Sequence, residues 1–293
     1  MAHKENHLQM IVNRFSEASK TFGLTISLGK TEVRLQPAPN SASCQPSITV
    51  NGTQLNDVKS FKYLGSTLSS DGTLDNEIAA RLQTASSALG RLRTKVLQHK
   101  NVRLSTKLKV YNAVVLSSHV MDTVLYRRHT KKLEQFHVRS LRSIMHIQWQ
   151  DRIKNQEVLD RARTSSIEAK ILQAQLRWSG HVIRMEESRI PHQLFYSELS
   201  HGNCNQGRPK KRYKDNLKAN LKWAHLQPRE LETAVVDRYR WRAFTRKAIT
   251  AFEDNRRQRL AAARERRHQA ASTCVPPSCI PCPACNRMCA SSF

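Results

Sequence analysis

From Leu74 onward, apolar residues return at three- and four-residue steps: Leu74, Ile78, Leu82, Ala85, Leu89, Leu92 and Val96. An α-helix presents one face at that period, so the stripe commits the middle of the chain to a long amphipathic helix. Further stripes follow at Leu104, Leu108, Tyr111 and Val115, and at Leu133, Phe136, Leu141 and Ile144. The run from Ser165 to Trp178 reads as another helix. Pro191 and residues 202–207 interrupt the pattern, which resumes over Lys210–Trp223 and in an Arg-rich helix from about Pro228 to Gln269. Past Ala271 the Pro/Cys-rich tail cannot continue a helix and reads as disordered. Aromatics at 6% and nine glycines in 293 residues argue against an all-β sandwich or propeller. The fold class expected is mostly α.

The first 70 residues read differently, as a small α/β piece. Leu8, Ile11, Val12, Phe15 and Ala18 share a helical face over about 5–20, and Gly23 ends that helix. Leu24-Thr25-Ile26-Ser27-Leu28 alternates as a strand, and the Pro- and Ser-rich stretch from Gln36 to Ser47 is a loop. Asn51-Gly52, between Ile48-Thr49-Val50 and Thr53-Gln54-Leu55, is the pair most favoured in a type I′ hairpin. Phe61-Lys62-Tyr63-Leu64-Gly65 follows as another strand.

Charge narrows the class of partner. There are 49 Lys+Arg and 23 Asp+Glu, a formal net charge of +26, which repels itself unless a polyanion or salt screens it. Nucleic acid is the expected partner. Residues 1–60 hold six basic and four acidic residues, whereas residues 208–247 hold thirteen and four, so the polyanion-facing surface is expected in the helical region. Purely apolar stretches such as Ala113–Leu116 fall far short of the roughly 20 residues a bilayer needs, so no membrane partner is expected. Residues 1–6 are followed by no apolar core of a leader, which reads as an intracellular chain, nuclear or cytoplasmic, and not secreted. The sequence sets no oligomeric state.

Two early motifs go beyond composition. One is Phe22-Gly23-Leu24-Thr25-Ile26-Ser27-Leu28-Gly29-Lys30-Thr31-Glu32; the other is Phe61-Lys62-Tyr63-Leu64-Gly65 followed by Asp71-Gly72. Later blocks are Thr106–Leu116, Leu133–Arg142, Gln175–Met185 and Gly207–Asp215. In this order the set resembles the last palm motifs and the post-palm region of reverse transcriptases from RTE-like non-LTR retrotransposons, over nearly the whole chain. The resemblance implies a palm remnant over 1–70, a helical thumb and connection over 71–200, and a basic helical region over 201–270. Residues 271–293 would be a Pro/Cys-rich, truncated finger-like tail.

The resemblance also implies roles for particular residues. Lys30 matches the lysine placed near the incoming triphosphate, where it neutralises charge or protonates the leaving pyrophosphate; by itself it reads as a solvated lysine after a strand. Phe61, Lys62, Tyr63, Leu64 and Gly65 match the hairpin that grips the primer end, with an ordinary core strand as the alternative. Arg81, Arg91, Arg93 and Lys95 fall in the helix expected to grip the template–primer duplex, by phosphate contacts that are salt-sensitive and blind to sequence. Arg208, Lys210, Lys211, Arg212 and Lys214 form a dense basic cluster read as nuclear import or nucleic-acid contact. His181 has no metal-site partner at fixed spacing, and Trp178, Trp223 and Trp241 read as core anchors.

Polymerases of this family work by two-metal phosphoryl transfer, with a paired-Asp motif just before the first helix. No adjacent Asp-Asp occurs in these 293 residues, so Lys30 would be vestigial. The chain alone is expected to be inactive as a polymerase, with magnesium needed only by the intact enzyme. The expected function is non-specific nucleic-acid binding by a truncated reverse-transcriptase-like protein. The alternatives are one piece of a full endonuclease/polymerase, or a translated relic.

Five of the seven cysteines lie in the last twenty residues. Cys282-Pro283-Ala284-Cys285, with Cys289 beyond, offers three thiols of the four ligands that zinc needs. In the family a following His completes the set; here the sequence ends at Phe293. The readings are an incomplete zinc site or a tail of oxidation-prone thiols.

Overall fold

The computed structural model describes residues 4–36, 46–63, 65–70, 72–117, 125–197, 212–223, 225–273, 280–281 and 288–289. Most of them are helical. They pack as three hydrophobic clusters: a small one in the N-terminal α/β piece and two in the helical region.

The N-terminal helix α1 (Glu5–Thr21) stops with Gly23 at φ 68°, and the Leu24 amide reaches back to the Ser19 carbonyl. Its buried face differs from the expected one. Leu8 and Val12 meet the small core, Ser16 and Ser19 are buried, and Ile11, Phe15 and Ala18 face outward. A polar contact selects this rotation. The Gln9 amide brackets one residue of strand β2 (Thr49–Val50), donating to the Thr49 carbonyl at 2.7 Å and accepting from its N–H at 2.9 Å. Gln9 thereby acts as a one-residue surrogate strand, and the small Ser16 and Ser19 allow close approach.

Segment Leu24–Leu28 joins no ladder. It runs into a 3-10 turn at Leu28–Lys30, because the Ser27 carbonyl collects the amides of Lys30 and Thr31 and the Thr31 hydroxyl. Strand β1 (Glu32–Val33) pairs in parallel with β4 (Asn56–Asp57). The expected hairpin is present between β2 and β3 (Thr53–Gln54), with Asn51 at φ 50° and Gly52 at φ 81° as the type I′ turn requires. Val33, Ile48, Val50 and Leu55 form the buried core here.

Strand β5 (Ser60–Tyr63) and β6 (Ser66–Ser69) form a second hairpin, with Tyr63 opposite Ser66 and Gly65 at φ 84° in the turn. The hairpin is held through its outer edge. The Thr67 amide donates to Glu77, in the first turn of helix α2 (Asp75–Leu92). Among the described residues the strands make separate two-stranded ladders, not one sheet.

Helix α2 buries Ile78 and Ala85 from the expected stripe, with Ala88 buried beside them and Leu82, Leu89 and Leu92 packed against the cluster. Its last turn widens into a π-helical turn, Arg93–Leu97, which rotates the apolar line so that Leu97 takes the fully buried place beside Val96. Helix α3 (Leu104–Val110) ends in another π-turn, Tyr111–Leu116, carrying Tyr111, Val115 and Leu116 inward. Helices α4 (Arg127–Ile144) and α5 (Asn155–Arg161) close the first helical cluster with Leu133, Leu141, Ile144, Val158 and Leu159.

Helix α6 (Ile167–Ile183) belongs to both helical clusters. Ile167 and Ile171 pack into the first; Leu172 and Leu176 pack into the second. The second is completed by α7 (Ile190–Tyr196), α8 (Tyr213–Lys222), α9 (Leu231–Val236) and the 36-residue α10 (Arg238–Thr273). The expected division near residue 200 falls outside the described residues, and the clusters on either side share α6.

At Gly180 the Trp241 side chain of α10 lies directly against the backbone of α6. A Cβ there would lie 2.2 Å from the Trp241 indole nitrogen and 2.7 Å from its Cδ1. That indole is buried and donates to the Leu176 carbonyl at 3.0 Å, so it cannot yield. Gly90, in α2, has no atom within 4 Å of its notional Cβ. Gly180→Ala is therefore expected to destabilise the protein by about 2 kcal/mol net, overpacking outweighing the helix gain. Gly90→Ala should instead stabilise it by up to about 1 kcal/mol. Urea midpoints of the two variants check the opposite signs.

Candidate nucleic-acid interface

The N-terminus of α6 is held by carboxylates. Glu253, from α10, accepts both the amide and the hydroxyl of Ser166; Glu134, from α4, accepts the Ile167 amide at 2.8 Å. Negative groups at this end suit the helix dipole. Arg256 binds the assembly together, at 3.2 Å from Glu134 and 3.3 Å from Glu168, with Glu253 at 3.8 Å and Gln156 at 3.3 Å. Burial nevertheless raises the Glu134 carboxyl above its usual range, against the pull of Arg256. The same surroundings lower Lys170, again chiefly by burial.

This knot forms one wall of a groove of about 650 Å³ between α4, α6, α8 and α10. Glu168 and Arg256 satisfy each other in it. Arg127, Arg259 and Arg266 also line it and have no acidic partner among the described residues. Gln175, Asn216, Asn220 and Thr130 add polar groups, with the Asn220 amide donating to Gln175 at 2.7 Å. The groove thus presents guanidinium groups and amides over an apolar floor of Ile171, Leu172 and Phe252.

Beyond it, α10 leaves the core. From Arg257 to Gln269 every residue but Ala263 is exposed. Arg257 is tied to Asp160 at 2.8 Å, whereas Arg259, Arg264, Arg266 and Arg267 stand against a single acid, Glu265. These arginines and Arg127 were absent from the sequence-derived set. The signal available was the density of Arg after Asn255, but the residues that tether α10, and so fix which arginines remain unpaired, are distant in sequence.

The sequence-derived residues are scattered. Lys30 is exposed in its 3-10 turn. Phe61 and Tyr63 stack with ring centroids 6.4 Å apart, Lys62 is exposed and Gly65 forms the turn. Arg91, Arg93 and Lys95 are exposed around the end of α2, giving a second basic patch. Arg81 is engaged: it pairs with the buried Glu77 and donates to the Ser66 hydroxyl at 3.2 Å, joining α2 to the β5–β6 hairpin. Arg212 and Lys214 stand at the start of α8. Leu64, Arg208, Lys210, Lys211, Cys282 and Cys285 lie outside the described residues. Cys289 falls in a short ladder in which β7 (Ile280–Pro281) pairs with β8 (Met288–Cys289). Among the described residues no cluster of His, Cys, Asp or Glu could hold a metal, and no helix is long and apolar enough to cross a membrane. Comparison with family models, curated proteins and solved structures finds no match to the chain.

Two outcomes follow. Arg81→Gln should cost about 3 kcal/mol, because it strands the buried Glu77 carboxylate, and should leave nucleic-acid affinity unchanged; thermal melts and a binding titration on the same sample separate the effects. The raised Glu134 pKa contributes stability that is full below pH 4.5, the ordinary value, and is lost as pH rises through the folded-state value. Glu134→Gln has no such proton to lose. The stability of the wild type relative to this variant should fall as pH rises from 4.5 and then level off; urea midpoints across pH that run parallel would contradict it.

Proposed function

We propose that this chain binds nucleic acid through its phosphates without reading base sequence, as the duplex-gripping part of a reverse-transcriptase-like protein. These residues do not themselves carry out polymerisation. The observation that carries the reading is the groove lined by Arg127, Arg259 and Arg266, continued by the exposed arginines of α10. Guanidinium groups without carboxylate partners are fitted to phosphate, which they can contact in bidentate fashion. The amides of Asn216, Asn220 and Gln175 add contacts to backbone oxygens or sugars, which position a strand without specifying it. The excess of 26 positive charges supports the same partner through long-range attraction. The link to reverse transcriptases rests on the ordered sequence motifs. The absence of an adjacent Asp pair supports the non-catalytic assignment, since two-metal chemistry requires clustered carboxylates.

Binding of a primer–template duplex should weaken steeply with salt. The double variant Arg259→Gln, Arg266→Gln should reduce the slope of log K against log salt by about 0.9 per lost phosphate contact. Fluorescence anisotropy at a series of salt concentrations reads both. A slope unchanged in the variant would move the interface elsewhere, and no binding at low salt would end the proposal.

A further inference from the structure

A second cavity, of about 460 Å³, opens where the end of α6 meets α7 and the start of α8. Its size suits a small planar ligand group. Three aromatic rings line it. Trp178 meets Tyr213 edge-on with centroids 4.9 Å apart, and Phe195 lies 6.3 Å from Trp178 and 6.0 Å from Tyr213. The Tyr213 hydroxyl is turned away to donate to the Gln175 carbonyl at 3.1 Å, so the ring contributes its hydrocarbon part. The Trp178 indole N–H has no acceptor among the described residues. Arg212 and Lys214 lie on the same lining, and Lys214 is steadied by donating to the Tyr196 carbonyl at 3.1 Å. Trp178, expected as a core anchor, is thus only half-buried beside a cavity.

We infer that this pocket takes an unpaired nucleobase, so that a single-stranded segment, such as template beyond a primer's end, gains a contact that the gripped duplex does not make. The inference rests on the phosphate-binding reading above. Aromatic faces receive any base by stacking, and adjacent cations hold the flanking phosphates; together these are the requirements of sequence-blind single-strand binding. The pocket neighbours the basic groove along α6 and α8. Gln175 lines the groove, Trp178 lines the pocket one helical turn further along α6, and α8 contributes to both. Gln175, at one end of the groove, is about 5 Å, one turn of helix, from Trp178, whereas Arg259 lies 18 residues along α10 from the Trp241 packed at Gly180, so a strand that meets both the arginines and the rings spans about 27 Å. A duplex, with its bases stacked and paired, cannot offer a base there without unpairing it.

The test uses the full chain and three probes: a short oligothymidylate, its abasic counterpart of equal length, and a duplex with the same number of phosphates. At low salt the oligothymidylate should bind about tenfold more tightly than the abasic strand, a modest return for one stacked base, and should quench tryptophan fluorescence. Phe195→Leu, which keeps the packing volume but removes a ring, should abolish that preference and leave duplex binding unchanged. Equal affinity for the oligothymidylate and the abasic strand in the wild type overturns the inference and leaves phosphate binding standing. That comparison needs no variant, so it holds even if Phe195→Leu fails to fold. Absence of binding by all three probes overturns the phosphate-binding reading itself. A wild type that does not discriminate, together with a Phe195→Leu variant of lower melting temperature, assigns the rings to the chain's own packing.

Discussion

Helix α6 is buried around most of its length, and the described helical region is organised to satisfy it. Apolar side chains on opposite sides serve separate clusters, with Ile167 and Ile171 in one and Leu172 and Leu176 in the other. A helix with apolar residues on two opposed faces cannot be a surface element. Its buried N-terminus must also find acceptors for amides that have no partner within the helix. Glu253 and Glu134 provide them from two other helices, so satisfying the backbone of α6 also fixes α4 and α10 against it. Arg256 then partly offsets the burial of these carboxylates, and Glu134 still titrates high because burial outweighs its cationic partner. At the other end, Gly180 lets the Trp241 indole lie against the backbone of α6.

Because acids are outnumbered, where they are placed decides where charge remains. Asp75, Glu77, Glu134, Asp160, Glu168 and Glu253 are all engaged in ties between elements or beside the core. The consequence is clearest on α10: beyond Arg256 and Arg257, which serve as tethers, the arginines face solvent with Glu265 as the one acid among residues 257–269. Arg264 and Arg267 are three residues apart and repel on one face. The exposed helix there depends on good helix formers such as Ala261, Ala262 and Ala263, and a bound polyanion would relieve its self-repulsion.

Local patterns in the sequence carried over where one short-range rule decides the outcome. The Asn51-Gly52 turn follows from its φ requirements, and the stripes of α2 and α4 follow from helical period. Where a distant partner decides, the sequence was silent. Gln9 turns α1 away from its apolar stripe by binding a strand 40 residues later. The Ser27 carbonyl draws Leu24–Leu28 out of a ladder. Arg81 reads as one more surface cation, yet it is committed by the burial of Glu77. For the candidate interface, charge density pointed to the helical region, but the arginines left unpaired depend on ion pairs spanning about a hundred residues, such as Arg256 with Glu134.

The N-terminal piece and the helical region differ in how much core they possess, and that difference bears on which of them can carry a function. The N-terminal core has four buried apolar residues, Val33, Ile48, Val50 and Leu55, roofed by Leu8 and Val12. Meanwhile Phe15 is 64% exposed, Phe22 79% and Leu24 64%. A core that small contributes little against the entropy of ordering the segment, so its stability leans on single polar contacts such as the Gln9 bracket. Regions of few buried contacts open first. The helical region, by contrast, distributes its burial over two clusters joined through α6, and both the basic groove and the aromatic pocket are walled by that helix. A site that must hold phosphates and a base in fixed relation needs rigid supports. Of the described residues, those around α6 meet that requirement, which supports assigning the proposed phosphate and base contacts to them.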